Sequence, residues 1–320
     1  MRDEVLAEVV RGDLVECVHR GAFVMLDERG EVRSSLGDVE APMYPRSSVK
    51  PIQAAAMLRL GLELEPRLLA LVAASHSGSA WHVAGVEEIL AGCGRTDGDL
   101  RCIEGWPLSS SDRDLFVRDG GQADRLHFNC SGKHAGFIAT CVANGWDVDT
   151  YLDPTHPLQL ACRELEERLS GSTVTADTVD GCGAPLFAIP LAGLANAFRE
   201  IAKAAPDTAD GRVADAMRAY PEMVGGAGRE DTIAMQLMPG LIAKGGAEGV
   251  MAMALPDGRA CAIKVSDGSP RGYQPLMRGV LRAWGLAEDA VAQFPVSSVL
   301  GGGRAIGRVR LSTEASIALA

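Results

Sequence analysis

Strand-like patterns at the two ends of the chain, separated by a long helical stretch, constrain its fold most. Residues 27–30 (Asp-Glu-Arg-Gly) have the composition of a hairpin turn between two such patterns. Strands are predicted over 15–26, from Val32 onward, over 249–255 and over 260–265. Helices are predicted over 52–60, 68–74, 81–92, 132–144, 157–169, 192–204 and 275–284.

This order predicts one α/β domain over residues 1–320, in which both chain ends build a single antiparallel sheet. The sheet part is expected over about 1–60 and 240–320, and the helical part over about 61–239. One helix should pack behind the sheet while the helical middle covers its other face. A dinucleotide-binding fold is disfavoured, because strands and helices do not alternate and the glycines at 301–303 and 307 have the wrong spacing.

Net charge argues against a nucleic-acid partner. Acidic residues outnumber basic ones by 42 to 31, which gives −11, whereas a phosphate-binding groove needs the opposite sign. The first five residues lack the apolar core of a secretion signal, and the uncharged run over 186–198 is too short to span a bilayer. A cytoplasmic protein without membrane contact is therefore expected, with its eight cysteines reduced.

The segment from Tyr44 to Pro51 contains the strongest local signal for chemistry. Ser47 and Lys50 stand three residues apart at a predicted helix start, so their side chains share one face. A partly buried lysine loses its charge readily and can take a proton from the serine hydroxyl. The alternative is an N-cap serine beside a solvated lysine.

A second signal is Lys244-Gly245-Gly246, which is expected at a sheet edge. In serine acyl-transferring enzymes with an S-x-x-K helix, a K-x-G triplet on a strand lines the site, and its glycines offer backbone donors to an oxyanion. A hairpin turn with a solvated lysine is the alternative. Ser75 follows a buried segment and suits either a second reactive hydroxyl or a helix end. Penicillin chemistry is disfavoured because the expected Ser-Asp-Asn element is missing.

Two further segments place thiols beside other reactive groups. Cys130, Lys133 and His134 lie at a predicted helix start, and Cys182 follows Asp180 in a glycine-rich turn. Neither segment has a familiar metal-ligand spacing, so a pair of small buried thiols is the alternative to a metal site.

Over nearly its whole length, the chain resembles the Rhizobium-type L-asparaginase II family. The matching segments are 46–51 (Arg-Ser-Ser-Val-Lys-Pro), 74–77 (Ala-Ser-His-Ser), 129–134 (Asn-Cys-Ser-Gly-Lys-His), 180–182 (Asp-Gly-Cys), 221–225 (Pro-Glu-Met-Val-Gly) and 244–247 (Lys-Gly-Gly-Ala). The segment at 129–134 is the most specific. The resemblance implies a fold similar to serine β-lactamases and glutaminases.

The resemblance also implies hydrolysis of L-asparagine to L-aspartate and ammonia by two Ser–Lys pairs. Ser47 would attack after Lys50 takes its proton, while Ser75 and Lys244 relay a proton to the departing ammonia. A homodimer is implied as well, and no organic cofactor is expected.

The remaining implied residues hold a metal or the substrate. The metal position, usually zinc, is bounded by Cys130, Lys133 and Cys182. Within the substrate site Arg46 would bind the carboxylate and Asp180 the ammonium group. His134, Gly245 and Gly246 complete the predicted substrate-binding set.

Two other functions stay open from the sequence. No residue in the sequence distinguishes asparagine from glutamine, whose side chain is one methylene longer. A glutaminase or another small-amide hydrolase is therefore the nearest alternative. A binding protein that kept the pocket and lost turnover is the alternative from another class. It is disfavoured because both serines and both lysines are present.

Overall fold

A computed structural model describes residues 3–320. Its strands are β1 (Glu4–Arg11), β2 (Leu14–Leu26), β3 (Val32–Leu36), β4 (Pro42–Met43), β5 (Asp177–Val179), β6 (Pro185–Phe187), β7 (Ile189–Pro190), β8 (Ile242–Gly246), β9 (Val250–Ala254), β10 (Ala260–Val265), β11 (Ser298–Gly301) and β12 (Arg304–Leu311).

Its helices are α1 (Lys50–Arg59), α2 (Pro66–Val72), α3 (Ala80–Gly92), α4 (Ser110–Arg118), α5 (Ser131–Asn144), α6 (Pro157–Ser170), α7 (Leu191–Lys203), α8 (Ala209–Ala219), α9 (Pro221–Val224), α10 (Glu230–Leu237), α11 (Pro270–Ala283), α12 (Glu288–Val291) and α13 (Thr313–Ala318). Short 3₁₀ turns cover Arg46–Val49 and Asp97–Asp99.

Eight strands from both ends of the chain form one antiparallel sheet. Their order is β11-β12-β1-β2-β10-β9-β8, and β3 pairs with β2 outside this path. The predicted fold class is therefore confirmed. Strand β8 lies at one edge of this sheet, which leaves one side of its backbone available to the helical part.

The helical middle reaches the sheet through α7, which contacts β2, β9 and β10. The helix expected behind the sheet is α11, and it contacts β1, β2, β9, β10 and β12. It begins at Pro270, earlier than predicted, and Pro275, the predicted first residue, lies inside the helix. A further helix, α13, contacts β1, β3 and β12. No helix among residues 3–320 has the length and apolar character that crossing a bilayer requires.

Helix α1 runs through the centre of the molecule. Nine of its ten residues, Lys50 to Leu58, are buried. The small side chains of Ala54, Ala55 and Ala56 let α5, α6 and α8 pack around it. A lysine at its first position is therefore held inside the protein, where its amino group needs polar partners.

Candidate active site

Four remote parts of the chain meet at the start of α1. Lys50 opens that helix, Ser75 lies in the loop after α2, Cys130 caps α5, and Lys244 is the middle residue of edge strand β8. The strand can lie this close because position 246 is glycine. A Cβ there would stand 2.6 Å from the carbonyl oxygen of Pro45, the residue before the 3₁₀ turn that leads into α1.

The hydroxyl of Ser75 lies between two buried lysines. Its Oγ is 3.1 Å from Nζ of Lys50 and 3.1 Å from Nζ of Lys244. The loop is fixed by main-chain bonds, since the Ser75 N–H donates to the Val224 carbonyl at 3.0 Å. Ser75 is only 6% exposed. Water therefore competes little with the two amino groups for this oxygen.

Lys50 has the contacts of an ammonium group. Its Nζ donates to the carbonyl of Ala74 at 2.6 Å, to Ser75 Oγ and to Cys130 Sγ, both at 3.1 Å, so three acceptors match three N–H donors. Its partner is Ser75, and within residues 3–320 the structure records no side-chain hydrogen bond between Lys50 and Ser47. Ser47 lies half-buried in the preceding 3₁₀ turn.

Lys244 brings the second amino group to this hydroxyl. Its Nζ donates to the Gly245 carbonyl at 2.7 Å and to Ser75 Oγ at 3.1 Å. Burial lowers the pKa of Lys244 from 10.5 to about 7, and the carboxylate of Asp231 partly opposes that change. Near neutral pH a large share of Lys244 is therefore able to accept a proton.

The predicted metal residues also meet, below Lys50. Lys133 Nζ donates to Cys182 Sγ at 3.1 Å. A hydrogen bond from Cys130, followed by the charge of Lys133, lowers the pKa of Cys182, while the same bond raises the pKa of Cys130. Two thiols and an amine are donors that zinc accepts. Among residues 3–320, however, no group of three or more His, Cys, Asp and Glu residues is arranged to hold a metal ion. Zinc stays a prediction.

His134 is fully buried beside this cluster. Its Nδ1 is 2.8 Å from the hydroxyl of Tyr151, and burial lowers the pKa of His134 to about 4. The ring is therefore neutral at physiological pH. Because His134 has no exposed surface, its ring is placed to support the thiol cluster rather than to contact substrate.

The two residues expected to bind the amino-acid head group are joined to each other. Arg46 Nε lies 2.7 Å from Asp180 Oδ1, and its Nη1 lies 3.5 Å from Glu248 Oε1. Arg46 adopts a left-handed backbone conformation with φ of 54°, which is uncommon for a residue with a side chain. Gly245 and Gly246, at the end of β8, are half-buried, and a Cβ at Gly246 would stand 3.3 Å from Arg46 Cβ.

Three residues of the site were not among the predicted site residues. Asp231 is fully buried 3.8 Å from Lys244, Tyr151 orients His134, and Asn129 accepts a hydrogen bond from the Cys130 thiol at 3.0 Å. Asn129 stands in the most specific motif and could have been noted from it. Asp231 and Tyr151 lie in segments without a motif, so only the folded structure shows that they belong to the site.

The site combines a buried serine with two buried lysines, and burial lowers the pKa of one of them, Lys244, to about 7. This arrangement is suited to hydrolysis through a serine nucleophile. A family model described as L-asparaginase II matches residues 7–311. The chain belongs to the L-asparaginase II family, which makes it an amidohydrolase by family and confirms the resemblance seen in the sequence.

Individual proteins are more distant. Comparison with curated proteins finds no match. Among solved structures, a β-lactamase from Mycobacterium bovis is 12% identical with a TM-score of 0.44, covering 83% of this chain and 95% of its own. Mglu in its native form is 16% identical with a TM-score of 0.42, covering 80% of this chain and 62% of its own. The structure of Mglu in the presence of 4.3 M NaCl is 15% identical with a TM-score of 0.37, covering 80% of this chain and 59% of its own. This chain thus spans less than two thirds of the Mglu chain in these two structures.

Proposed function

We propose that the protein hydrolyses the side-chain amide of L-asparagine to L-aspartate and ammonia, with Ser75 as the nucleophile. One observation supports this most directly: Ser75 Oγ lies 3.1 Å from both Lys50 Nζ and Lys244 Nζ. The sequence suggested Ser47 as the first nucleophile and Ser75 as a relay. The proposal reverses these roles because both amino groups reach Ser75.

In the first half-reaction Lys244 takes the hydroxyl proton while Ser75 Oγ attacks the amide carbon. The Lys50 ammonium group donates to the same oxygen and so stabilises the developing alkoxide. When the C–N bond breaks, the proton held by Lys244 passes to the departing nitrogen, which leaves as ammonia. An ester of Ser75 remains. In the second half-reaction water attacks that ester and gives its proton to Lys244, and the serine regains a proton as aspartate leaves.

The surrounding residues would bind and orient the substrate. The Gly245 N–H points away from β9 and donates to Asp231 Oδ2 at 3.4 Å, a long bond that an oxyanion of the substrate would replace. Arg46 precedes Ser47 in the chain, so its ion pair with Asp180 lies close to Ser47, and an amino acid's carboxylate and ammonium group could exchange with that pair. Ser47 would then contact substrate without forming the covalent bond.

We also propose that Cys130, Lys133 and Cys182 bind a zinc ion. The adjoining thiols and the unpartnered Nε2 of His134 fit such a site, provided Lys133 loses its proton. When bound, zinc would fix the thiolate of Cys130, which Lys50 contacts. The proton transfers described above involve only Lys50, Ser75 and Lys244.

The test compares ammonia release from asparagine by the wild type, Ser75→Ala and Ser47→Ala. We expect Ser75→Ala to lose at least about 10³-fold in kcat, while Ser47→Ala keeps most of its turnover. Ser316→Ala, at an exposed serine far along the chain, is the matched control. A fully active Ser75→Ala variant would exclude this nucleophile, and loss confined to Ser47→Ala would restore the sequence-based assignment.

Substrate choice needs a second measurement. The kcat/KM for asparagine and for glutamine should be compared on the same preparation, with asparagine expected to be preferred. A ratio that favours glutamine would make the protein a glutaminase. Calorimetric binding of asparagine without ammonia release would identify a binding protein instead.

A further inference from the structure

Beside the catalytic lysine lies a carboxylate that the mechanism has not used. Asp231 is 1% exposed, in the first turn of α10. Its Oδ2 is 3.8 Å from Lys244 Nζ and 3.4 Å from the Gly245 N–H, and its Oδ1 accepts from the Thr232 N–H at 3.1 Å. A charge buried this deeply is costly unless it serves a partner.

We propose that Asp231 is the positioning residue of Lys244, holding its amino group against Ser75 and setting the pH at which it accepts a proton. This inference deepens the proposed function and rests on it. The carboxylate is too far from Lys244 Nζ for a direct hydrogen bond, so its effect is electrostatic and acts between two buried groups 3.8 Å apart. It also holds the Gly245 N–H, and Gly245 in turn accepts from Lys244 through its carbonyl.

The glycine at position 225 makes room for this carboxylate. A Cβ there would overlap Asp231 Oδ1 and stand 2.7 Å from Thr232 Oγ1. The loop that contains Gly225 also touches the nucleophile's segment, because the Gly225 carbonyl accepts from Ser77 Oγ at 2.7 Å. The Ser75 loop, Asp231 and Lys244 are thus packed as one unit.

Charged and titratable groups approach Lys244 from each neighbouring element. Asp231 and Cys130 raise the pKa of Lys244, whereas Lys50 and Arg229 lower it together with burial, which is the largest cause. Among these charges Asp231 has the largest effect on the pKa of Lys244. Its removal should therefore make Lys244 a weaker base that loses its proton at lower pH.

The principal test is the pH profile of kcat/KM for Asp231→Asn. The wild type should rise with pH through a midpoint near 7, because Lys244 must be neutral to act. In Asp231→Asn we expect the midpoint to move to lower pH and the plateau to fall by about 10- to 100-fold. Asp231→Glu keeps the charge, so its midpoint should stay near that of the wild type even if its rate falls.

A second variant guards against misfolding of the first. Gly225→Ala leaves Asp231 in the sequence but displaces its carboxylate, so it should move the midpoint in the same direction. An unchanged midpoint in both Asp231→Asn and Gly225→Ala would overturn the inference.

One readout does not need turnover. The Nζ titration of Lys244 can be followed by heteronuclear NMR, with the resonance assigned from Lys244→Arg. A lower Lys244 titration midpoint in Asp231→Asn than in the wild type would support the role of Asp231 even if asparagine were not hydrolysed. Equal midpoints would refute that role. Failure of ammonia release by the wild type would refute the proposed function alone.

Discussion

Hydrogen-bond partners inside the protein, rather than spacing along the chain, determine what Lys50 does. Spacing of three residues at a helix start suggested Ser47 as its partner. In the structure its Nζ instead meets Ala74, Ser75 and Cys130, which lie 24, 25 and 80 residues away. Residue types and motifs could identify both lysines from the sequence. Their partners could not be identified, because these depend on how three helices and an edge strand pack.

Tyr151 shows how a residue without a motif supports the site. Its buried hydroxyl accepts from the Arg101 N–H at 2.8 Å and contacts His134 Nδ1 at 2.8 Å. Tyr151→Phe would leave both groups without a partner, at a cost of about 1–3 kcal/mol in the free energy of unfolding. Urea denaturation measures this, with Tyr44→Phe, at a partly exposed tyrosine, as control. Equal unfolding free energies for the two variants would contradict the role given to Tyr151.

At the scale of elements, periodic patterns located seven of the thirteen helices in residues 3–320, and the glycines explain several contacts and turns. The observed bounds of α3, α5, α6 and α7 lie within one residue of the predicted ones. The glycines at 301–303, which matched no motif, form the hairpin between β11 and β12. Gly302 and Gly303 have φ of 56° and 76°, which favour glycine. The lengths of β11 and β12 were not predicted, since their register depends on β1 at the other end of the chain.

The close packing of α5 on α2 gives a prediction at this scale. A Cβ at Gly132 would stand 2.5 Å from the Leu71 carbonyl oxygen, a backbone atom that cannot easily move. Gly132→Ala should therefore destabilise the fold by about 1–3 kcal/mol, despite the better helix propensity of alanine. It should also lower turnover, because Cys130 and Lys133 lie in the same turn.

Gly92→Ala is the matched control, since nothing lies within 4 Å of the Cβ it would add at the end of α3. It should leave stability unchanged or slightly higher. Thermal midpoints and ammonia release are measured for both variants. Stability of Gly132→Ala equal to that of Gly92→Ala would show that α5 and α2 have more freedom than their contact suggests.

For the whole molecule, the sequence indicated which parts of the chain form the sheet, but not what stabilises the fold at each pH. Strand patterns at both ends sufficed for one antiparallel sheet, because two amphipathic ends must bury their apolar faces together. Strand patterns do not indicate which ionisable side chains are buried. Lys244 and Glu166 both lie inside the protein, and both have pKa values moved toward neutrality.

These two groups affect stability in opposite directions. The unfolded chain keeps a proton on Lys244 up to 10.5, whereas the folded protein releases it near 7, so stability rises with pH between these values. Burial raises the pKa of Glu166 from 4.5 to about 8, and Glu167 adds to the shift. The unfolded chain therefore loses this proton first, and stability falls as pH rises from 4.5 to 8.

Glu166→Gln tests this balance, because glutamine imitates the protonated carboxyl group. Glu166 is 1% exposed in α6, and its Oε1 finds no hydrogen-bond partner among residues 3–320. Near pH 4.5 the variant and the wild type should unfold at similar temperatures. By pH 8 the variant should be more stable by roughly 2–5 kcal/mol. Glu164→Gln, at an exposed position of the same helix, should show no such trend. A gap between Glu166→Gln and wild type that stayed constant with pH would mean that Glu166 is ionised in the folded protein, and that its neighbours open to admit water.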